Sequence, residues 1–123
     1  MNLVSQRVAL LINYIRKDQE ATFVEALRWL PNLTFLLSVL IEPQRDYAPE
    51  LNQLDVRLQK TWTLRRKWRH KSGFADDLHV HFPVDTIGRL RQLQPDVIVS
   101  YELGMRSLMS AAYRLTHRQS RLV

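Results

Sequence analysis

RVALLIN, residues 7–13, contains five consecutive apolar residues between a basic and a polar one. A strand with one face in water alternates polar and apolar residues, whereas a continuous apolar run is typical of a strand buried on both faces. Such strands belong to parallel sheets that helices cover on both sides. We therefore predict that residues 7–13 form the first strand of an α/β domain.

The residues that follow predict a crossover helix and a second buried strand. Asp18 is a suitable N-cap for this helix, and Pro31 ends it. The apolar residues of the helix fall at helical spacing: Phe23, Ala26, Leu27 and Leu30. Residues 34–41 (TFLLSVLI) are again almost wholly apolar. A strand, a helix and a strand within about 35 residues predict a parallel, right-handed βαβ unit.

The second half of the chain continues this alternation. Strands are predicted at residues 56–58, as a short edge strand, at 78–82 (LHVHF) and at 96–100 (DVIVS). Asp85 is expected to cap a helix that carries Ile87, Leu90 and Leu93 on its apolar side. A further helix over residues 103–116 has Leu108, Ala112 and Leu115 at helical spacing, and a last strand starts at residue 121.

These elements predict one α/β domain over residues 1–123. We expect an open, mostly parallel Rossmann-like sheet with helices on both faces. The last strand has only three residues, fewer than the usual five or so, and we expect it to be incomplete. We therefore expect the chain to be the front part of a longer protein.

Composition excludes several classes of protein. The chain has 123 residues, of which 46% are hydrophobic and 24% charged, as in ordinary globular domains. It contains no cysteine, so disulfides, thiolate nucleophiles and cysteine-ligated metals are excluded. The longest apolar run has about half of the roughly 20 residues that a membrane-spanning helix needs. We expect a cytoplasmic protein, or a peripheral one on the inner face of the membrane.

The net charge of +6 is concentrated in residues 60–71 (KTWTLRRKWRHK), which hold six basic and no acidic side chains. Basic residues interleaved with tryptophan suit an anionic membrane surface, and they also suit nucleic acid, which we regard as the weaker interpretation. A third interpretation is a structural segment in which Trp62 and Leu64 pack on the sheet. The candidate membrane-surface residues are Trp62, Arg65, Arg66, Lys67, Trp68 and Arg69.

Open parallel sheets bind ligands outside the carboxyl ends of their strands. The residues predicted there are Asn13, Tyr14, Glu42, His81, Phe82, Ser100, Tyr101 and Glu102. The first turn after a strand contains no glycine, which argues against dinucleotide-binding and P-loop enzymes. His79 and His81 share one side of their strand, but no further cluster of ligands accompanies them, so we expect no metal site. A receiver domain is disfavoured because Asn13 stands where acidic residues are needed.

One segment resembles a known family. Residues 95–107 (PDVIVSYELGMRS) are similar to the strand-to-helix joint in the N-terminal domain of family 4 glycosyltransferases. Residues 7–13, the helix over 103–116 and the tract 82–86 (FPVDT) fit the same plan. Glu102 matches the family pattern, whereas Tyr101 stands where many members carry histidine. The first turn also lacks the pair of glycines that is common in the family.

The resemblance implies the front half of a two-domain GT-B enzyme, which moves a sugar from a nucleotide-sugar donor to an acceptor. The expected acceptor contacts are Tyr101, Glu102 and Arg106, with His81, Asn13 and Tyr14 as further candidates. The donor is expected on a C-terminal domain that is absent here, so this chain alone would be inactive and needs no cofactor or metal.

The expected partners are the donor, a sugar or lipid-linked acceptor, and an anionic membrane surface. Self-association through the unfinished sheet edge is also expected. The alternative is a non-enzymatic α/β binding module, or a membrane or nucleic-acid adaptor that acts through residues 60–71.

Overall fold

The computed structural model describes residues 2–40, 51–101 and 103–123, and it shows a mixed α/β architecture. The strands in these ranges are β1 (Val8–Ile12), β2 (Leu33–Leu37), β3 (Asp55–Leu58), β4 (Thr61–Arg69), β5 (Ala75–Pro83), β6 (Val97–Ser100) and β7 (Arg121–Leu122). The α-helices are α1 (Glu20–Ala26), α2 (Thr86–Leu93) and α3 (Met105–Thr116). Five strands form a parallel sheet in the order β3-β2-β1-β6-β7, and β4 and β5 form a separate antiparallel hairpin.

The predicted first strand lies at the centre of the parallel sheet. Val8 of β1 is level with Leu33 of β2 on one side and with Val97 of β6 on the other. All residues of β1 and β2 are buried, as the continuous apolar runs predicted. The short strand expected at residues 56–58 is confirmed as the edge strand β3, and β7 pairs with β6 at the other edge.

Helices cover both faces of this sheet, as predicted. On one face α1 packs against the sheet, where Phe23 meets Phe35 edge-on with the ring centroids 5.0 Å apart. On the other face Leu90 of α2 and Tyr113 of α3 pack against Leu11. The alternating side chains of β1 therefore contribute to two separate clusters, one on each side of the sheet. No helix within the described ranges has the length and apolar character that crossing a bilayer requires.

The predicted N-cap of α1 is wrong. Asp18 lies in a 3₁₀ turn, Lys17–Gln19, and its carboxylate accepts two hydrogen bonds from the Arg16 guanidinium, at 3.1 and 2.9 Å. α1 begins two residues later at Glu20. The charged pair with Arg16 engages both carboxylate oxygens, so Asp18 does not cap the helix.

The predicted apolar side of α3 is not its buried side. Leu108 and Leu115 are 66% and 78% exposed, and Ala112 is also exposed. The helix buries Arg106, Ser110 and Tyr113 instead. The Tyr113 ring fills the space between α2 and the sheet, and a large aromatic ring has more area to bury than a leucine. The burial of Tyr113 and the buried contact of Arg106 together set the rotation of α3 about its own axis.

The basic segment and the strand predicted at residues 78–82 pair with each other. Trp62 lies opposite Phe82, Arg65 opposite His79 and Lys67 opposite Asp77. The segment 78–82 therefore belongs to the hairpin and not to the parallel sheet. Trp62 and Leu64 are exposed, so the interpretation in which they pack on the sheet is wrong.

Buried hydrogen bonds anchor the base of the hairpin to α2. Gln59 Nε2 donates to Thr86 Oγ1 at 2.9 Å, and Thr86 Oγ1 donates to the Pro83 carbonyl at 2.7 Å. Asp85 is the N-cap residue of α2 by position, but its side chain makes no capping bond. Its carboxylate accepts from the Lys60 backbone N–H at 3.0 Å, which corrects the predicted capping role.

Thr86→Val tests this anchor. Valine keeps the shape of threonine, but it leaves the Pro83 carbonyl and the Gln59 amide without their buried partner. We expect the free energy of unfolding to fall by about 1–3 kcal/mol, measured by urea denaturation. Gln92→Ala, at an exposed position of the same helix, should change it by less than about 0.5 kcal/mol. Equal effects of the two substitutions would contradict the anchoring role.

A second test concerns Asp77 in the hairpin. The Arg65 guanidinium donates to its carboxylate at 2.6 Å, and this bond, with the positive charges of Arg65, Lys67 and His79, holds the pKa of Asp77 below its usual range. The pair therefore stabilises the fold above the unfolded pKa of about 3.9, and this contribution is lost as pH falls through the lower folded value. We expect Arg65→Gln to raise the pKa of Asp77 in an NMR titration.

Arg66→Gln is the matched control for this titration, because Arg66 lies on the other face of β4. It should leave the pKa of Asp77 nearly unchanged. An equal rise in both variants would mean that the general positive field of the hairpin, and not the Arg65 hydrogen bond, lowers this pKa.

Candidate functional site

Polar residues meet where the parallel strands end. Asn13 follows β1, Ser38 follows β2 and Ser100 ends β6. The Asn13 carbonyl accepts hydrogen bonds from the backbone N–H groups of Ser38 and Val39, at 3.1 and 3.0 Å. Because the three strands are parallel, all three side chains lie at the same edge of the sheet. This is the edge at which open α/β sheets bind ligands.

A cleft of about 250 Å³ opens beside this edge. The hairpin forms one wall and the start of α3 forms the other, with Asn13 contributed by the sheet. Its lining residues are Asn13, His79, Val80, His81, Phe82, Leu103, Gly104, Met105 and Arg106. Three of the residues predicted from the sequence, Asn13, His81 and Arg106, are therefore brought together.

Arg106 is only 4% exposed although it carries a full charge. It lies in the first turn of α3, and its Nη2 donates to Ser38 Oγ at 2.6 Å. A buried guanidinium that crosses from α3 to the end of β2 fixes this wall of the cleft relative to the sheet.

His81 is held in place by the other strand of the hairpin. Its Nδ1 lies 2.9 Å from Thr63 Oγ1, the residue directly opposite it in the register. This contact fixes the position of the ring in the wall of the cleft. His79, two residues earlier, lines the same cleft, as their spacing predicted.

Phe82, also predicted at a strand end, lines the cleft, whereas Tyr14, Ser100 and Tyr101 do not. Tyr101 is exposed, and its hydroxyl accepts a hydrogen bond from Gln19 Nε2 at 3.3 Å. Tyr14 is half-buried beside Asn13 in the chain and is not a lining residue. Glu102 and Glu42 lie outside the described residues, so the structure does not locate them. Ser100 Oγ is 2.7 Å from Ser107 Oγ, which links the end of β6 to α3.

Two residues of this region were missed in the sequence. Ser38 is the one polar residue within the apolar run FLLSVLI, and that interruption was a usable signal. Thr63 had no such signal, because its importance depends on its pairing with His81 across the hairpin. The cleft also has apolar lining from Leu103 and Met105.

The cleft offers hydrogen-bonding groups of several kinds. Asparagine supplies both a donor and an acceptor, histidine supplies ring nitrogens, and arginine supplies a fork of donors. In residues 2–40, 51–101 and 103–123, no group of three or more metal-ligating side chains occurs. The lining suits a small polar ligand that is recognised by hydrogen bonds and by contact with an apolar patch.

Comparisons with family models, with curated proteins and with solved structures find no match to this chain. The sequence and the site geometry are therefore the basis of the functional argument.

Proposed function

We propose that this chain is the acceptor-side domain of a two-domain GT-B glycosyltransferase, which moves a sugar from a nucleotide-sugar donor to an acceptor. The observation that carries the proposal is the meeting of Asn13, His81 and Arg106 around one cleft at the carboxyl end of the parallel sheet. The three residues come from three different elements, and the sequence had singled out each of them.

The order of the strands supports this proposal. The order β3-β2-β1-β6-β7 has β1 between the first and second halves of the sheet, as in Rossmann-like domains, with the β4–β5 hairpin inserted between β3 and α2. Ligands of such sheets bind at the point where the strand order reverses, which here is between β1 and β6. Asn13 lies at this point.

The chemistry of the cleft supports a carbohydrate acceptor. Sugar hydroxyls both donate and accept hydrogen bonds, which matches the amide of Asn13 and the ring of His81. The Arg106 guanidinium favours oxygen acceptors, including anionic ones. Met105 and Leu103 offer an apolar surface to the C–H face of a sugar ring. Tyr101 and Glu102 remain proposed acceptor contacts from the sequence resemblance.

The proposal assigns the nucleotide-sugar donor to a second domain. Transfer requires donor and acceptor to be held together, and this positioning supplies much of the lowering of the barrier. A chain that contributes only the acceptor wall binds sugar without transferring it. We place this domain in the cytoplasm, where nucleotide sugars would reach it.

Binding of sugars by the chain tests the proposal. We expect a panel of mono- and disaccharides to shift the backbone amide signals of Asn13, His81 and Arg106 in NMR titrations of the ¹⁵N-labelled protein. Arg106→Met should weaken binding about tenfold or more, because one good charge-assisted hydrogen bond contributes about 1.5–3 kcal/mol. Arg91 is an exposed arginine in the last turn of α2, and the control variant Arg91→Gln should bind sugars as tightly as the wild-type protein does.

Two results would overturn the proposal. One is that no carbohydrate in the panel shifts the cleft residues. The other is that a nucleotide sugar binds this chain as tightly as the best-bound sugar of the panel. That result would assign the donor to this domain. The gene sequence after the Val123 codon distinguishes the proposed glycosyltransferase from a non-enzymatic binding module. Only the glycosyltransferase requires a donor-binding domain there.

A further inference from the structure

The β4–β5 hairpin exposes an apolar face. We call this the hairpin apolar face and define it by the exposed residues Trp62, Leu64, Trp68, Phe74 and Leu78. The register and the alternation of strand side chains place the four strand residues on one side, and Phe74 packs against Trp68 from the turn. Trp62 is 61% exposed and Trp68 is 48% exposed. Exposed aromatic patches of this kind mark interaction surfaces.

The same hairpin carries an excess of positive charge. Residues 60–83 contain six basic and two acidic side chains, a net of +4. Asp77 is neutralised by Arg65, and Asp76 accepts a hydrogen bond from the backbone N–H of Asp77. In the described part of the chain Arg66, Lys67 and Arg69 form no ion pair, and all three are exposed. Their charges are available to an anionic partner.

We propose that the hairpin apolar face docks on an anionic lipid bilayer, with its tryptophans at the level of the headgroups. Tryptophan prefers this interfacial region, and nearby basic residues are attracted by anionic headgroups. Arg66 lies on the apolar face itself, opposite Leu78. A long arginine side chain can lay its stem along lipid and extend its charged end to the phosphates.

A nucleic acid is a poorer fit to this face. Stacking platforms for bases need aromatic rings with free faces. Here the centre of the face consists of Leu64, Leu78 and Arg66 and contains no aromatic ring. The rings at its two ends already pack on other rings, since Trp62 is 5.4 Å from Phe82 and Trp68 is 6.2 Å from Phe74, centroid to centroid.

A second copy of this chain is also a poorer fit. Packing two such faces together would bury Arg66 of each copy away from water, at a desolvation cost that needs a paired carboxylate. The acidic residue on this face is Asp76, opposite Trp68 and two pairs beyond Arg66 toward the turn. A bilayer surface leaves the guanidinium among phosphates and water and avoids this cost.

The docking does not rest on the proposed transfer of sugar. The five residues that define the hairpin apolar face do not line the cleft, but Val80 and Phe82, which lie opposite Leu64 and Trp62, do. Variants at Trp68 and Leu78 therefore separate the two activities better than variants at Trp62. Co-sedimentation with vesicles of phosphatidylcholine, with and without phosphatidylglycerol, measures the docking directly. We expect binding to the anionic vesicles that weakens strongly as salt rises from about 0.1 M to about 1 M, where the Debye length falls from about 10 Å to about 3 Å.

Two sets of variants separate the contributions of the apolar face and of the charges. Combined Trp62→Ser and Trp68→Ser should abolish sedimentation, and combined Arg66→Gln, Lys67→Gln and Arg69→Gln should weaken it about a hundredfold, at roughly fivefold per charge. Trp29→Ser removes an equally exposed tryptophan outside the hairpin and should bind normally. Circular dichroism checks that each variant is folded. Where the double variant is not folded, the single substitution Leu64→Gln replaces it and should weaken sedimentation.

A spectroscopic measurement adds a second readout. Trp29→Phe leaves Trp62 and Trp68 as the two tryptophans of the chain. We expect their emission to shift to the blue on addition of anionic vesicles, and brominated lipid to quench it. The proposal is overturned if anionic vesicles neither sediment the chain nor shift this emission. It is also overturned if single-stranded oligonucleotides bind while vesicles do not, or if the double tryptophan variant only dissociates a dimer.

Discussion

Burial of β1 on both faces is the constraint on which the rest of the structure depends. Its alternating side chains enter two different clusters, so helices must cover both sides of the sheet. Its two neighbours, β2 and β6, are both parallel to it. Parallel neighbours end at the same edge, and this places Asn13, Ser38 and Ser100 together. The candidate site is therefore a consequence of the same packing that forms the core.

The rotation of α3 shows that a site can override the apolar pattern of a helix. A stripe of leucines is left in water while Arg106 and Tyr113 are buried. Burying a guanidinium is costly unless it is hydrogen-bonded, so this arrangement adds nothing obvious to stability over a leucine-inward packing. A charge held at the rim of a cleft in spite of this cost is typical of a residue with a binding role.

The sequence was most informative where structure is decided locally. Strands β1, β2 and β6 and all three helices follow from runs and spacings within a few residues. The hairpin could not be predicted, because β4 is basic and depends on pairing with a distant segment. Arg65 of β4, for example, pairs with His79 of β5, 14 residues later in the chain. For the same reason Asn13 and Arg106 could be recognised as site candidates, whereas the contact of Thr63 with His81 could not.

The hairpin connects the two surfaces that bear on function. Strand alternation places His79 and His81 on one face of the hairpin and Trp62 and Trp68 on the other, while Val80 and Phe82, on the tryptophan face, also line the cleft. The hydrogen bonds among Gln59, Thr86 and Pro83 hold the base of these strands against α2. Because Val80 and Phe82 join the two surfaces, the proposed bilayer contact lies next to the proposed acceptor cleft. This arrangement fits the proposal of a lipid-linked acceptor better than that of a free sugar, because only the former is held at the bilayer surface.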